Sequence, residues 1–279
     1  LPAPSSDSPI DLDRLAVRLD EVVRAAGDIA LRFFRAGDAE RWTKGDDSPV
    51  TEADIAVDRF LAAELPPLVA GSGWLSEETA DTPDRLAMRR IWIVDPIDGT
   101  RAFVEGKPEW VVSVALVEDG APIAGVVRNP CEDVSFASVR GAGATRATAA
   151  GSETLRVADE DGLAGVRISG PSSFVGPLKQ QGVESGKWHY ALANRLVQVA
   201  GGGLDAALAR PRAHDWDIAA AHLILEEAGA RLIGFDGAVP TYNRETTRHG
   251  GLIAAAPKRS LQLAAAIESA LAAPETIVT

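Results

Sequence analysis

The sequence predicts a layered protein with an α+β first half and an α/β second half, and three observations carry that prediction. An amphipathic helix opens the chain, with Leu12, Leu15, Leu19, Val22, Val23, Ala26, Ile29, Ala30 and Phe33 at helical spacing. Three apolar runs then follow one another between Trp110 and Val139, which reads as an antiparallel meander packed on the opening helices. Beyond Leu155, helical and extended patterns alternate, the signature of α/β layering.

The first helix is expected over 11–35. A breaker-rich loop, Lys44-Gly45-Asp46-Asp47-Ser48-Pro49, separates it from a second helix that Thr51 caps, with Asp54 in its first turn. Trp74-Leu75-Ser76-Glu77-Glu78 reads as a short strand running into a loop, and Ile91-Trp92-Ile93-Val94 as a strand that delivers Asp95 at its end. Strands over 110–117 and 122–127 flank the turn signal Glu118-Asp119-Gly120, and 134–139 adds a third. The stretch 141–153 is rich in Gly, Ala and Thr, so a soft boundary falls near Leu155. It divides the chain into an N-terminal half, 9–154, and a C-terminal half, 155–279. In the second half 166–169, 230–233 and 252–255 read as strands, and 187–200, 216–228 and 261–272 as helices.

Bulk properties exclude several classes. With 279 residues and 46% hydrophobic content, the chain can bury a sizeable core. Its formal net charge of −12 repels nucleic-acid backbones, so no nucleic-acid polymer is expected as a partner. A phosphorylated metabolite remains compatible, provided cations meet it at the site. Cys131 is the lone cysteine, which excludes an internal disulfide and a thiolate zinc cluster and fits a reducing compartment. No apolar run approaches the roughly 20 residues that span a bilayer, and the start lacks the order of a signal peptide. A cytoplasmic location, with no membrane partner, is the expectation.

The most informative segment is Asp95-Pro96-Ile97-Asp98-Gly99-Thr100. A strand that ends at an Asp puts that carboxylate at a sheet edge, where ligands bind. Pro96 stiffens the turn, Asp98 aims back towards Asp95, and Gly99 lets a ligand approach the backbone. Thr100 is expected to cap a helix or turn beginning near Arg101. Read alone, Asp-Pro and Asp-Gly also suit an ordinary Asx turn. Glu77 and Glu78 end the preceding strand, and together with Asp95 and Asp98 they offer oxygen ligands for hard divalent cations. Asp217 follows Trp216 at the start of an apolar helix, a position an acid also occupies simply to complement the macrodipole.

Together these segments resemble the inositol monophosphatase superfamily, over about residues 12–270. The resemblance rests on Glu77-Glu78, on Asp95-Pro96-Ile97-Asp98-Gly99-Thr100, on Trp216-Asp217-Ile218-Ala219-Ala220 and on the upstream Ser48-Pro49-Val50-Thr51-Glu52-Ala53-Asp54. It implies the layered alternating α-β-α-β-α sandwich shared with fructose-1,6-bisphosphatase. It also implies two to three Mg2+ ions, with Mn2+ as a substitute. Glu77, Asp95 and the Ile97 carbonyl would hold the first ion, Asp95, Asp98 and Asp217 the second, and Glu77 a weaker third. Thr100, paired with Asp54, would orient and deprotonate the attacking water. The Gly99 and Thr100 amides would hold phosphate oxygens, and Lys44 falls near the family's loop lysine. Homodimers are common in this superfamily.

Substrate choice is left open by the same residues. Tyr190-Ala191-Leu192-Ala193 stands where inositol-selective members carry Gly-Thr or Gly-Ser followed by Ala, Ala209-Arg210-Pro211-Arg212 stands where they carry a Glu that reads inositol hydroxyls, and Arg101 adds a cation beside the main motif. Basic residues near a phosphatase pocket suit a second phosphate. The reading therefore leans to a 3'(2'),5'-bisphosphate nucleotidase acting on 3'-phosphoadenosine 5'-phosphate. Inositol 1-phosphate, histidinol phosphate and fructose 1,6-bisphosphate stand as alternatives within the same chemistry. Tyr190 or Trp188 stacks on a base or belongs to the core, and Arg210 and Arg212 contact substrate or line the solvated surface. A non-catalytic, metal-binding regulatory relative is the alternative of another class.

Overall fold

The computed structural model describes residues 9–37, 39–43 and 49–272. Helix α1, Leu12–Ala36, starts where the Asp11 carboxylate accepts the Arg14 amide and stops at Gly37, in the left-handed region. Strands β1, Arg41–Thr43, and β2, Pro49–Thr51, pair antiparallel and lead into helix α2, Glu52–Glu64. Thr51 caps α2 as its sequence predicts.

Strands β3, Gly73–Ser76, and β4, Arg90–Asp98, run parallel, and the short helix α3, Thr100–Val104, follows β4 directly. Next come β5, Val111–Glu118, β6, Ala121–Asn129, and β7, Val134–Val139, the antiparallel meander expected from the three apolar runs. The Gly/Ala/Thr-rich stretch then forms two further strands, β8, Ala144–Thr148, and β9, Gly151–Leu155. They escape the sequence reading because β9 is an exposed polar edge whose buried residue is Leu155. Among the described residues, β3 to β9 make one seven-stranded sheet in chain order.

The second sheet has the order β11-β10-β12-β14-β13. Its strands are β10, Arg167–Ser169, β11, Glu184–Ser185, β12, Ala206–Ala209, β13, Arg231–Gly234, and β14, Leu252–Ala255. The helices of this half are α4, Ser172–Leu178, α5, Leu192–Ala200, α6, Asp215–Glu227, and α7, Pro257–Ala272. Helix α5 starts five residues later than the apolar pattern from Lys187 suggests, and α7 starts earlier, at Pro257. The central strand β12, Ala-Ala-Leu-Ala, is buried on both faces, so it shows no alternation to read.

Strand parity sorts the layers. Trp92 and Val94 of β4, with Val112, Val114 and Leu116 of β5, pack against α1 and α2. Ile91, Ile93, Val111, Ala115 and Val117 face the other way, into a core shared with α5, α6 and the inner face of the second sheet. Ile168, Leu208, Ile233 and Ile253 point out of that sheet's far side, towards α4 and α7. The result is the α-β-α-β-α sandwich, with α5 and α6 as the middle layer. That layer sits close to the large sheet: a Cβ on Gly125 would lie 3.0 Å from the Ala220 backbone. No helix of the described residues is long and apolar enough to cross a membrane.

Candidate active site

The site grows from the end of β4. Side chains alternate along a strand, so Asp95 and Asp98, three apart, belong on opposite faces of a regular one. A bulge corrects this: Asp95 faces Ser113 on β5 while Asp98 faces Val111, so one extra residue sits on β4. Pro96, which has no amide to donate, falls inside the irregularity. Ile97 then packs into the core beneath α1 and α2, and both aspartates are left facing the middle layer.

Helices α5 and α6 meet them there. The Leu192 and Ala193 amides at the start of α5 donate to Asp98 at 3.1 and 2.6 Å, so Asp98 serves as the acceptor for this helix end. That explains the late start of α5: residues 186–191 form no helix, Ala191 is extended, and it packs on Gly99. Gly99 has φ +91° and ψ 35°, and a Cβ there would lie 3.1 to 3.3 Å from Ala191. Gly99, not Thr100, occupies the cap of α3, and Thr100 is its first residue, a correction of one position caused by that left-handed turn.

Asp217 and Asp54 reach the site by the same device. Each is the third residue of its helix, and each accepts the backbone amide of the capping residue at 2.7 Å, from His214 and Thr51 respectively. One carboxylate oxygen is thereby fixed and the other is turned to the site. Asp54 Oδ1 accepts the Thr100 hydroxyl at 3.3 Å, which also lies 3.0 Å from the Ile97 carbonyl.

Asp95, Asp98 and Asp217 each bring an oxygen within 4.8 Å of the others. Burial, then the charge of Glu77 and the other acids, raises Asp95 well above the usual carboxylate range. Burial also lifts Asp98, to about 7, although the two α5 amides pull it down. Asp217 is raised by burial and by Asp98. Glu77 adjoins the three: its amide donates to the Val94 carbonyl at 3.2 Å, and its charge acts on all of them, though it lies outside the 4.8 Å group. Asp95 Oδ1 is buried without a hydrogen-bond partner. An orphaned, buried carboxylate oxygen amid like charges fits a hard cation, and a donor set of carboxylates with no sulfur or imidazole fits Mg2+ or a similar ion.

Beside Asp217 opens a cavity of about 740 Å³ whose lining includes Trp188, Arg195, Arg210 and Arg212. Arg210 is exposed and faces it. Tyr190 is instead engaged by Lys107, which donates to its hydroxyl at 2.5 Å, and neither Tyr190 nor the exposed Arg101 lines the cavity. Lys44 lies outside the described residues. Sequence reasoning passed over Arg195, a charged residue inside an apolar helix that is 6% exposed. Its signal was that very placement, since a cation on a buried helix face calls for a partner.

Residues 11–272 match the model of the inositol monophosphatase family. The chain is 34% identical over 248 residues to a histidinol-phosphatase of Mycobacterium tuberculosis, covering 86% of this chain and 92% of that protein. It is 28% identical over 243 residues to the 3'(2'),5'-bisphosphate nucleotidase CysQ of Aggregatibacter actinomycetemcomitans, covering 85% and 90%. The crystal structure of the extragenic suppressor protein suhB from Bartonella henselae superposes with a TM-score of 0.78 at 25% identity, covering 91% of this chain and 98% of that one. A family match across nearly the whole length, joined to this carboxylate site, places the chain in the inositol monophosphatase family of phosphoric monoester hydrolases.

Proposed function

We propose that the chain is a Mg2+-dependent phosphomonoesterase for a small metabolite that carries a second anionic group, with a 3'(2'),5'-bisphosphorylated nucleotide as the leading substrate. The observation that carries the reaction class is the convergence of Asp95, Asp98 and Asp217 beside the Asp54–Thr100 pair. Asp95, Asp98, Asp217, Glu77 and the Ile97 carbonyl would hold the ions. When bound, Mg2+ supplies positive charge that acidifies water and neutralises the developing charge on phosphate and leaving oxygen.

The chain's own groups do the rest. The Thr100 hydroxyl donates to Asp54 Oδ1, which leaves its oxygen lone pairs to accept from a water and aim it at phosphorus. As the water attacks, its proton passes to Thr100 Oγ1 while the Thr100 proton moves to Asp54. Thr51 holds the other Asp54 oxygen through its amide and hydroxyl, so the base keeps its orientation. The Gly99 and Thr100 amides would bind phosphate oxygens, and Glu77 would order water at the rim of the ion site.

The cavity beside Asp217 supports this substrate class. Its cationic lining suits an anionic leaving group and opposes the ammonium group of histidinol phosphate, the compound named for the Mycobacterium tuberculosis relative. The test is phosphate release, with Mg2+ or with EDTA, from 3'-phosphoadenosine 5'-phosphate, inositol 1-phosphate and histidinol phosphate. The bisphosphate is expected to lead in kcat/KM, with turnover abolished by EDTA. Histidinol phosphate or inositol 1-phosphate in the lead overturns the substrate reading, and turnover unaffected by EDTA overturns the metal reading.

A further inference from the structure

Arg195 poses a physical problem. It lies in the first turn of α5 and is 6% exposed, yet its Nε and Nη1 are buried without a hydrogen-bond partner. A buried charge is normally paired and hydrogen-bonded. Burial drives its pKa down to about 10, and the nearby charge of Asp98 offsets this only in part. The two Asp98 oxygens accept from the α5 amides, and neither Nε nor Nη1 of Arg195 bonds to them.

The geometry around the guanidinium says what is missing. Its carbon stands 4.4 Å from the centre of the Trp188 ring, whose side chain is 45% exposed. An aromatic ring holds the guanidinium by its face. The N–H donors lie in the guanidinium plane, and a planar fork of that kind matches the paired oxygens of a phosphate. Arg195 and Trp188 line the same cavity as Asp217, with Arg210 and Arg212 at its mouth. Asp217 of the carboxylate cluster and a cation with idle donors therefore line one cavity.

We propose that Arg195, held on Trp188, is the specificity-determining anchor for a second phosphate on the substrate, carried by the leaving group. This rests on the reading of Asp95, Asp98 and Asp217 as the centre where the first phosphate is cut. Arg210 and Arg212 attract the same anion from the surface, but only Arg195 meets it where water is excluded. Its position also explains why an exposed Trp188 is held over a buried cation instead of folding into the core.

Matched substrate pairs test the anchor: adenosine 3',5'-bisphosphate against adenosine 3'-monophosphate, and inositol 1,4-bisphosphate against inositol 1-phosphate. Wild type is expected to favour the doubly phosphorylated member of at least one pair by roughly 10- to 100-fold in kcat/KM, the range of a charge-assisted hydrogen bond. Arg195→Met, of similar length and uncharged, removes that preference and leaves the monophosphate rate within about threefold. Arg195→Lys keeps the charge but loses the fork, retains part of the preference and covers the case in which the Met variant does not fold. Equal losses on both members of a pair would assign Arg195 to supporting Asp98 and overturn the proposal, as would a wild type with no preference in either pair. No turnover of any of the four compounds with Mg2+ while histidinol phosphate is hydrolysed overturns the anchor and leaves the hydrolytic reading standing; no turnover of histidinol phosphate either refutes both.

Discussion

Asp95→Asn separates catalytic design from stability. Asp95 is buried, its Oδ1 has no partner, and it shares a 4.8 Å space with two other carboxylates. At that separation and an effective dielectric near 20, each ionised pair repels by about 3.5 kcal/mol. The metal-free wild type escapes part of this by keeping protons, which is what the raised values of Asp95, Asp98 (about 7) and Asp217 express. The sign follows. A carboxyl held above its unfolded value destabilises the fold increasingly as pH rises from the unfolded pKa, about 4, to the folded one. Metal-free wild type therefore loses stability between about pH 4 and pH 7, and the neutral amide of the variant relieves it. We expect Asp95→Asn in EDTA to exceed wild type by about 2–3 kcal/mol at pH 8, or about 4–8 °C in Tm, with the gap closing as pH falls towards 4. Saturating Mg2+, at 100 times its Kd, closes the gap by stabilising wild type by about 2.7 kcal/mol while the variant gains little and turns nothing over. Thermal unfolding by calorimetry, with EDTA or Mg2+ at four pH values, reads all of this. A variant less stable than wild type in EDTA at pH 8, or one with an undiminished Mg2+ response, refutes the reasoning.

Thr100→Val removes the hydroxyl at constant shape, so kcat should fall by about 100- to 1000-fold while the Mg2+-induced rise in Tm survives; a kcat within threefold of wild type counts against the relay. Adding Asp54→Asn to it should cost little more, because the two groups pass one proton, and additive losses would argue for separate roles. Gly99→Ala forces a left-handed residue at about 1–2 kcal/mol and drives a methyl into Ala191, 3.1 Å away. Its Tm should drop by several degrees with a loss of kcat, since Ala191 precedes the amides that hold Asp98; an unchanged Tm would show that the turn relaxes freely.

The parts of the site that were legible in the sequence are those built within one segment. Thr51 and Asp54 announce a cap, the apolar run of β4 announces the position of Asp95, and Gly99 announces a turn. What could not be read is set by pairing between segments. The bulge that brings Asp95 and Asp98 to one face depends on the register of β4 with β5. The late start of α5 depends on Asp98, nearly a hundred positions away, accepting its amides. Strands β8 and β9 extend the sheet and give the core little beyond Ala144 and Leu155, and β12 is too uniformly small to show a period.

The middle layer links reaction to selectivity. Helix α5 begins by donating Leu192 and Ala193 amides to Asp98 and, within the same turn, projects Arg195 into the cavity beside Asp217. A substitution that moves this turn therefore acts on both ends of the substrate at once. Replacing Arg195 while leaving the backbone in place acts on one. Helix α6 has the same double duty, since its cap fixes Asp217 and the preceding segment carries Arg210 and Arg212. Chemistry is thus written on β4, where the bulge and its flanking residues leave little room for change. On the proposed reading, selectivity lies on the first turn of α5 and the approach to α6, where a side chain can be replaced while the backbone amides still hold Asp98. If Arg195 is the anchor proposed above, changing it would alter the leaving group this chain accepts and keep the bond it breaks.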